Sequence, residues 1–370
     1  MGDSRRYWLG FNLVPGIGPA RIRRLLETFE NLEQAWNASP QALRRAGIPE
    51  KSLQMMRSIK DGVNLEREEE RLTAAGFSYV TWDDGTYPQR LLEIYAPPPL
   101  LYLWGVFEPR DRIAVGIVGT RKVSSYGRAV TEELAGELAR SGVTIVSGLA
   151  RGVDACAHRA ALQAGGRTIA VLGSGLNWIY PSEHRRLAEE IAANGVVISD
   201  YPLDTQPEGK NFPPRNRIIS GLSLAVVVIE AGESSGALIT ADFAVEQGRD
   251  VFAVPGDIYR PGSRGTNRLI QSGAEPLLGA EEVLERLNLE LVARQEEAED
   301  VLPEDPDERK VLEMLSDQPL HVDELGVRSG MKPADVAALL AMLELKGRVR
   351  QVGGMQYIRM REASLPYRVE

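Results

Sequence analysis

Cysteine, histidine and long apolar runs are all scarce in this chain of 370 residues. The single cysteine, Cys156, excludes an internal disulfide framework and any metal site that is built from several thiolates. The three histidines are scattered along the sequence, so we expect neither a metal centre nor a cofactor. No run approaches the roughly 18 apolar residues of a membrane span, and the N-terminus lacks the basic-then-apolar pattern of a signal peptide. We therefore expect a cytoplasmic protein that does not contact membranes.

The net charge of −9 argues against a nucleic-acid partner only until its distribution is considered. Residues 290–308 contain nine acidic residues and one arginine, a net of −8, so the rest of the chain carries −1. Because salt screens charges beyond about 10 Å, local basic clusters can still govern phosphate binding. Prolines also interrupt this acidic stretch, so we interpret residues 290–308 as a flexible linker.

Residues 1–75 have helical periodicity with short breaks, which predicts a helical domain of the helix-hairpin-helix (SAM-like) type. In the stretch Leu13–Ala20, Gly16 and Gly18 permit a tight turn before a helix that begins with three arginines among four residues. A weaker second copy spans Ser39–Met56. Free amides at such a turn can hold a DNA phosphate, but the hairpin could equally pack helices or contact a protein.

Residues 76–289 alternate between apolar runs and helical segments, after an extended lead-in over Tyr79–Leu103. The predicted strands are Ala114–Val118, Val143–Val146, Thr168–Leu172, Gly195–Ile198, Leu224–Ile229 and Val251–Val254. The predicted helices are Gly127–Ser141, Gly152–Ala164, Ser182–Ala193, Pro214–Gly221 and Ser235–Gln247. Continuous β-branched runs that are separated by helices predict a doubly wound parallel sheet, a Rossmann-like α/β domain.

Residues 309–362 have the pattern of a winged helix. Three helical segments (Glu308–Ser316, Val322–Ser329 and Lys332–Lys346) precede two alternating strands around Gly353-Gly354, which is a hairpin signal. Winged helices bind DNA or proteins, and the few basic residues here leave both roles open.

Loops rich in small residues follow four of the predicted central strands. Ligands of an open parallel sheet bind beyond the carboxyl ends of its strands, where these loops lie. The loops cover residues 119–127, 147–154, 173–176 and 231–240, and they match neither a dinucleotide fingerprint nor a P-loop. Glycines, hydroxyls and guanidiniums predict an anionic ligand here. The candidate binding residues in these loops are Gly119, Thr120, Arg121, Ser124, Gly148, Arg151 and Gly173.

The segment from Gly209 to Ser220 combines basic residues with an aromatic ring. Lys210, Arg215 and Arg217 supply positive charge, Phe212 supplies a stacking face, and the amide of Asn216 can orient a ligand. This combination suits single-stranded nucleic acid, because every base offers a face that stacks on an aromatic ring. The alternative is that Phe212 belongs to the core and the charges surround the start of a helix.

Catalysis is poorly supported by the sequence, and we predict a protein that is not an enzyme. The candidates for acid–base chemistry form no recognised arrangement; they are Asp154, His158, Asp200, Glu230 and Asp242. Two other classes of function stay open. One is a nucleotide hydrolase with Glu230 as its strand-end glutamate, such as a phosphoribohydrolase, and the other is a protein-interaction hub.

Taken together, these motifs resemble the DNA-processing protein A (DprA/Smf) family. The matching stretches are residues 116–121 with Tyr126-Gly127, 147–154, 173–176 with Tyr180-Pro181, 212–217, and 235–241 with 254–256. The resemblance implies a single-stranded DNA-binding protein of natural transformation and recombination. Such a protein protects incoming DNA, loads the RecA recombinase onto it, and forms a homodimer through its Rossmann-like domain.

The resemblance also assigns roles to particular residues. In the family, a Gly-(Ser/Thr)-Arg motif and a lysine before a Phe-Pro segment hold DNA phosphates. The positions that match here are Gly119, Thr120, Arg121 and Lys210, with Phe212, Asn216 and Arg217 nearby.

Overall fold

The computed structural model of the protein describes residues 5–287 continuously and, with gaps, parts of residues 307–359. It divides into two compact units, residues 1–287 and 288–370, which are described separately below. The predicted linker lies outside the described residues apart from position 307, and the helix predicted over Glu308–Ser316 is described only in part. Within the described residues, no helix is both long and apolar enough to cross a lipid bilayer.

Six helices form the first part of the larger unit. They are α1 (Arg6–Asn12), α2 (Pro19–Thr28), α3 (Leu32–Asn37), α4 (Pro40–Arg45), α5 (Glu50–Gly62) and α6 (Leu65–Ala74). The turns before α2 and α5 share one construction: Gly16 and Gly47 have φ of 85° and 82°, and a buried isoleucine follows each. These positive φ angles favour glycine, and a proline at or just before the next helix fixes its start. Both predicted hairpins thus consist of two helices that a tight turn joins.

A nine-stranded sheet forms the centre of this unit. Its strands are β1 (Ser78–Thr81), β2 (Leu100–Gly105), β3 (Ala114–Val118), β4 (Thr144–Ser147), β5 (Thr168–Val171), β6 (Val196–Ser199), β7 (Ala225–Val228), β8 (Asp250–Ala253) and β9 (Glu275–Pro276). The strand order is β1-β2-β6-β5-β4-β3-β7-β8-β9, and strands β3 to β9 pair in parallel. The Rossmann-like prediction is therefore confirmed.

The lead-in over Tyr79–Leu103 was predicted as merely extended, and this was incomplete. It contains β1 and β2, which pair antiparallel with each other, and β2 also pairs antiparallel with β6. The proline run at Pro97–Pro99 stands directly before β2, and prolines are rare inside strands, so the apolar run of β2 was interpreted as extended chain.

Helices cover both faces of the sheet. They are α7 (Gln89–Leu92), α8 (Ser125–Arg140), α9 (Val153–Gln163), α10 (Arg185–Asn194), α11 (Phe212–Leu222), α12 (Gly236–Glu246), α13 (Arg264–Gln271) and α14 (Ala280–Arg286). Ile169 and Val171 of β5 belong to one core with residues of α11 and α12. Ala170 belongs to a second core with residues of α10 and the six N-terminal helices. Burial on both faces explains why the strands read as continuous apolar runs.

The N-terminal helices are anchored directly on the sheet. The hydroxyl of Tyr102 in β2 donates to Oδ1 of Asn12 at 2.9 Å, and Nε1 of Trp8 donates to Asp83 at 3.1 Å. Arg71 of α6 forms an ion pair with Asp204, in the connection after β6. The helical part and the sheet therefore form one compact unit.

The smaller unit contains β10 (Leu320–His321), α15 (Val322–Ser329), α16 (Pro333–Leu345), β11 (Val349–Gly353) and β12 (Gln356–Arg359). The strands form an antiparallel sheet in the order β10-β12-β11. Its buried core includes Leu325 of α15, Leu340 of α16 and Val349 of β11. Two helices followed by a strand hairpin confirm the winged-helix prediction.

Candidate nucleic-acid interface

The chain reverses its direction of winding at β3 and β7, the neighbouring strands of the switch point. Ligands of doubly wound sheets usually bind at the carboxyl ends of this strand pair. Here Glu230, just after β7, occupies that position: its Oε2 accepts from the N–H of Ser124 at 2.9 Å, and its carbonyl accepts from the N–H of Thr120 at 2.7 Å. The protein's own carboxylate fills the cradle before α8, where we had expected a bound anion.

The loop from β3 to α8 is therefore largely committed to its own structure. Ser124 is the N-cap of α8, and its hydroxyl accepts from the N–H of Gly127 at 3.0 Å. Thr120 accepts from the N–H of Lys122, and Gly119 lies against Val153. Arg121, in contrast, is exposed. Of the four candidates that we predicted in this loop, only Arg121 extends a charged side chain to the surface.

Asp154 organises the next loop, from β4 to α9. Its Oδ2 accepts from the N–H groups of Gly148 at 3.1 Å and Ala150 at 3.3 Å. Burial raises the pKa of Asp154, while Arg215, which faces it, and these two backbone hydrogen bonds oppose that rise. Gly148 thus gives its amide to Asp154 rather than to a ligand, and its lack of a Cβ admits the guanidinium of Arg215.

Phe212 is the first residue of α11, which begins two residues before the predicted start at Pro214, and prolines 213 and 214 lie in its first turn. A helix advances about 100° per residue, so residues that look interleaved in sequence point to different sides. Arg215 is only 4% exposed, donates to the carbonyl of Val171, and has a pKa that burial lowers to about 10. It does not lie on the exposed surface that we had expected.

Arg217 and Asn216 also serve the fold. The guanidinium of Arg217 donates to Asp200 at 2.9 Å and to the carbonyl of Ala96 at 3.0 Å, and 15% of its side chain is exposed. The amide of Asn216 donates to the carbonyl of Gly236 at 3.3 Å, which links α11 to α12. The helix was predicted over Pro214–Gly221, but residue type alone did not reveal these contacts.

Phe212, Arg121 and Tyr180 form a guanidinium–aromatic cluster at the sheet edge. Cζ of Arg121 lies 5.6 Å from the ring centroid of Phe212, and the Tyr180 ring lies 5.7 Å from it on a tilted plane. Phe212 packs on Gly173, where a Cβ would come within 2.8 Å of the ring. Phe212 is half-buried, whereas Arg121 and Tyr180 are exposed. The cluster offers ring faces and a cation side by side.

The exposed cations of this edge differ in their partners. Arg151 pairs with Glu183 at 2.6 Å, and Lys210 pairs with Glu208 at 2.7 Å. None of the ion pairs among the described residues includes Arg121 or Lys122, which also lie on the surface. Positive charge without a neighbouring carboxylate is therefore concentrated next to the guanidinium–aromatic cluster.

Five of the predicted site residues line one small cavity of about 20 Å³, together with Ala150, Tyr180 and Pro181; the five are Arg121, Gly148, Arg151, Phe212 and Arg215. A cavity of this size holds about one water molecule. It is too small for a base or a sugar. The arrangement suits a nucleic-acid strand that lies across the sheet edge rather than a mononucleotide that enters the cavity.

Tyr180 and Lys122 were not among the predicted site residues. The pair Tyr180-Pro181 was among the matching motifs, and an aromatic next to a proline in a strand-end loop was the available signal. Lys122 directly follows Arg121, and only the exposure of both side chains distinguishes this pair from the buried Arg215.

Four of the five residues that we considered for catalysis make structural contacts. His158 is buried and its Nδ1 lies 2.6 Å from Oγ1 of Thr168; burial lowers its pKa to about 3. Asp154, Asp200 and Glu230 hold the contacts given above, and Asp242 lines a groove between α12 and α13. Within the described residues, no cluster of His, Cys, Asp and Glu could hold a metal ion.

A Rossmann-like sheet with a cationic, aromatic edge, combined with a winged-helix domain, defines the class of this protein. Residues 78–288 match the family model of the DNA recombination-mediator protein A, and residues 295–355 match the DprA winged helix domain. The chain belongs to this DprA/Smf family of DNA-processing proteins.

Three similar proteins illustrate the relationship. Protein Smf of Synechocystis is 38% identical over 394 residues, which cover 96% of this chain and 99% of the relative. The crystal structure of DNA processing protein A from Streptococcus pneumoniae has 36% identity and a TM-score of 0.68, over 76% of this chain and 97% of that one. DNA processing protein A from Helicobacter pylori, described for its single-stranded DNA binding mode, has 32% identity and a TM-score of 0.52, over 58% and 97%.

Proposed function

We propose that this protein binds single-stranded DNA along the carboxyl edge of its sheet and acts in natural transformation and recombination. In this role it protects incoming DNA and loads the RecA recombinase onto it, without catalysing a reaction itself. The observation that carries the proposal is the guanidinium–aromatic cluster, in which Arg121 lies 5.6 Å from the Phe212 ring. The family and the single-stranded DNA binding of the Helicobacter pylori relative support it.

In the proposed complex, phosphates contact the cations and bases contact the rings. Arg121 and Lys122 hold phosphates without first giving up a carboxylate, and Lys210 exchanges Glu208 for a phosphate. Phe212 and Tyr180 stack bases, at about 1–3 kcal/mol per base. Because neither contact reads base edges, binding is expected to be independent of sequence and sensitive to salt.

The remaining predicted residues support this surface from below. Arg215 fills the space over Gly148 and so supports the floor beneath Phe212 and Arg121. Arg217 and Asn216 fix α11, and thereby Phe212, against its neighbours. Ser124, Thr120 and Gly119 fix the backbone from which Arg121 projects.

We further propose a homodimer through the Rossmann-like domain, and the cytoplasm as its location. A groove of about 1120 Å³ between α12 and α13 supports the dimer. Leu238, Ile239, Val245 and Leu269 line it, and the side chains of Ile239 and Val245 are exposed. Exposed apolar surface of this kind often marks a protein–protein contact.

Fluorescence anisotropy with single- and double-stranded oligonucleotides at two salt concentrations tests the proposal. The single strand should bind more tightly, and its affinity should fall as salt rises. Absence of binding, or binding that does not respond to salt, would contradict the proposal and favour an interaction hub. Release of free base from nucleoside monophosphates would instead favour the hydrolase, although Glu230 already accepts from the Ser124 amide.

A further inference from the structure

The connection after β8 displays two apolar side chains to solvent. Residues 254–263 join β8 to α13, and in this connection Ile258 is 70% exposed and Tyr259 is 85% exposed. An isolated exposed apolar residue needs no explanation, but two in succession on a well-fixed loop form a patch. Neither Ile258 nor Tyr259 takes part in the contacts described for the guanidinium–aromatic cluster.

The loop that carries these side chains is held by its own hydrogen bonds. The amide of Asn267 in α13 donates to the carbonyl of Gly256 at 2.9 Å and accepts from its N–H at 3.1 Å. The N–H of Tyr259 donates to Oδ1 of Asp257 at 2.9 Å, and the N–H of Arg260 donates to the Asp257 carbonyl at 3.0 Å. The backbone that carries the Tyr259 ring is thus held before a ligand binds, so stacking on this ring costs little backbone entropy.

This loop lies on the same edge of the sheet as the cluster. The hydroxyl of Tyr126, at the start of α8, donates to the carbonyl of Pro255 at 3.1 Å. A Cβ on Gly262 would lie 2.9 Å from Glu230, the residue that accepts from Ser124 in the β3–α8 loop. The order β5-β4-β3-β7-β8 places β8 about 10 Å from β3 and about 19 Å from β5, at about 4.8 Å per strand.

We propose that Tyr259, flanked by Ile258, is a second base-stacking platform for single-stranded DNA. Single-stranded DNA that crosses the carboxyl edge of the sheet contacts Phe212 and Arg121 first. It then passes the half-exposed Tyr126 ring and places a further base on Tyr259. Arg264, exposed at the start of α13, supplies positive charge nearby. The inference rests on the proposed function. It extends the path of the DNA beyond β3 by the width of two β-strands.

The test compares Tyr259→Ala and Tyr259→Phe with the unaltered full-length protein, using oligothymidylates of about 4 and about 16 nucleotides, which bracket the site sizes of single-strand-binding modules. We expect Tyr259→Ala to lower affinity for the long oligonucleotide about tenfold, because a stacking face is lost, and to leave the short one nearly unchanged. Tyr259→Phe should retain affinity. Val106→Ala, an exposed apolar residue after β2 at the opposite edge, is the control and should have no effect.

An abasic arm separates stacking from other causes. Two long oligonucleotides are compared, one without bases in its 5′ part and one without bases in its 3′ part. The affinity loss caused by Tyr259→Ala should disappear with one of these oligonucleotides and persist with the other. An equal loss with both, an equal loss for Phe and Ala, or a loss that follows dissociation of a dimer in sedimentation would overturn the inference. If Tyr259→Ala has no effect while Arg121→Glu abolishes binding, only this inference fails. If the unaltered protein binds no oligonucleotide, the proposed function fails.

Discussion

Replacement of Arg121 by alanine removes the exposed guanidinium that the proposed interface depends on most. Arg121 contacts the Phe212 ring and belongs to none of the ion pairs among the described residues, so its loss leaves no carboxylate unpaired. A charge-assisted hydrogen bond to phosphate contributes about 1.5–3 kcal/mol. We therefore expect affinity for single-stranded DNA to fall about 10- to 150-fold at low salt, with the free energy of unfolding within about 0.5 kcal/mol of the original.

The salt dependence of binding gives the sharper measurement. Each phosphate contact with a single strand contributes a slope of about −0.7 in log affinity against log salt, or about 2.6-fold between about 50 and 200 mM. Arg121→Ala should make the slope shallower by about 0.7, as measured by fluorescence anisotropy at five salt concentrations. Arg140→Ala removes the same charge from the far end of α8, about 23 Å away, and should change neither value. An unchanged affinity and slope for Arg121→Ala, with circular dichroism preserved, would refute the assignment.

Three further changes test individual contacts. Glu208→Gln frees Lys210 from its ion pair and should raise affinity for single-stranded DNA by about 1.4- to 5-fold in the same assay, since exposed pairs contribute about 0.2–1 kcal/mol; a lower affinity would contradict the exchange. Gly148→Ala places a methyl group on the buried guanidinium of Arg215 and should lower the free energy of unfolding by about 1–3 kcal/mol in urea titrations. His158 has a pKa of about 3 in the folded protein, below its ordinary value of 6.5. As pH falls, the unfolded chain therefore binds a proton at this histidine before the folded chain does, and stability decreases between about pH 6.5 and pH 3. Between pH 6.5 and 5 the fall should approach about 1.4 kcal/mol per pH unit, and His158→Gln should flatten it.

The central sheet was the part of the fold that sequence predicted best. The apolar run of β3 matches the strand without error, and the other five central strands differ from their predicted bounds by at most one residue at each end. Their burial on both faces imposes a strong local signal, because nearly every position must be apolar. The apolar run of β2 was present in the sequence but was interpreted as extended chain, because prolines 97–99 directly precede it, and β9 was missed because it has two residues.

The residues of the candidate interface were only partly predictable. Arg121 and Phe212 carry their signal in residue type, and the strand-end rule brought their loops to one edge. Residue type could not tell Arg215 and Arg217 apart from surface cations, because helix phase rather than sequence position decides which side they face. The position of the Glu230 carboxylate at the switch point was likewise unpredictable, since its contact with Ser124 joins positions that are 106 residues apart.

The most direct test of the account is a photochemical crosslink between DNA and the cluster. An oligonucleotide with 5-iodouracil at successive positions is bound to the full-length protein, irradiated, and digested for mass spectrometry. We predict adducts on Phe212 or Tyr180, whose rings lie 5.7 Å apart, and loss of those adducts when Arg121 is replaced by glutamate. Adducts confined to the N-terminal helices or the winged-helix domain would contradict the claim that the sheet edge holds the strand.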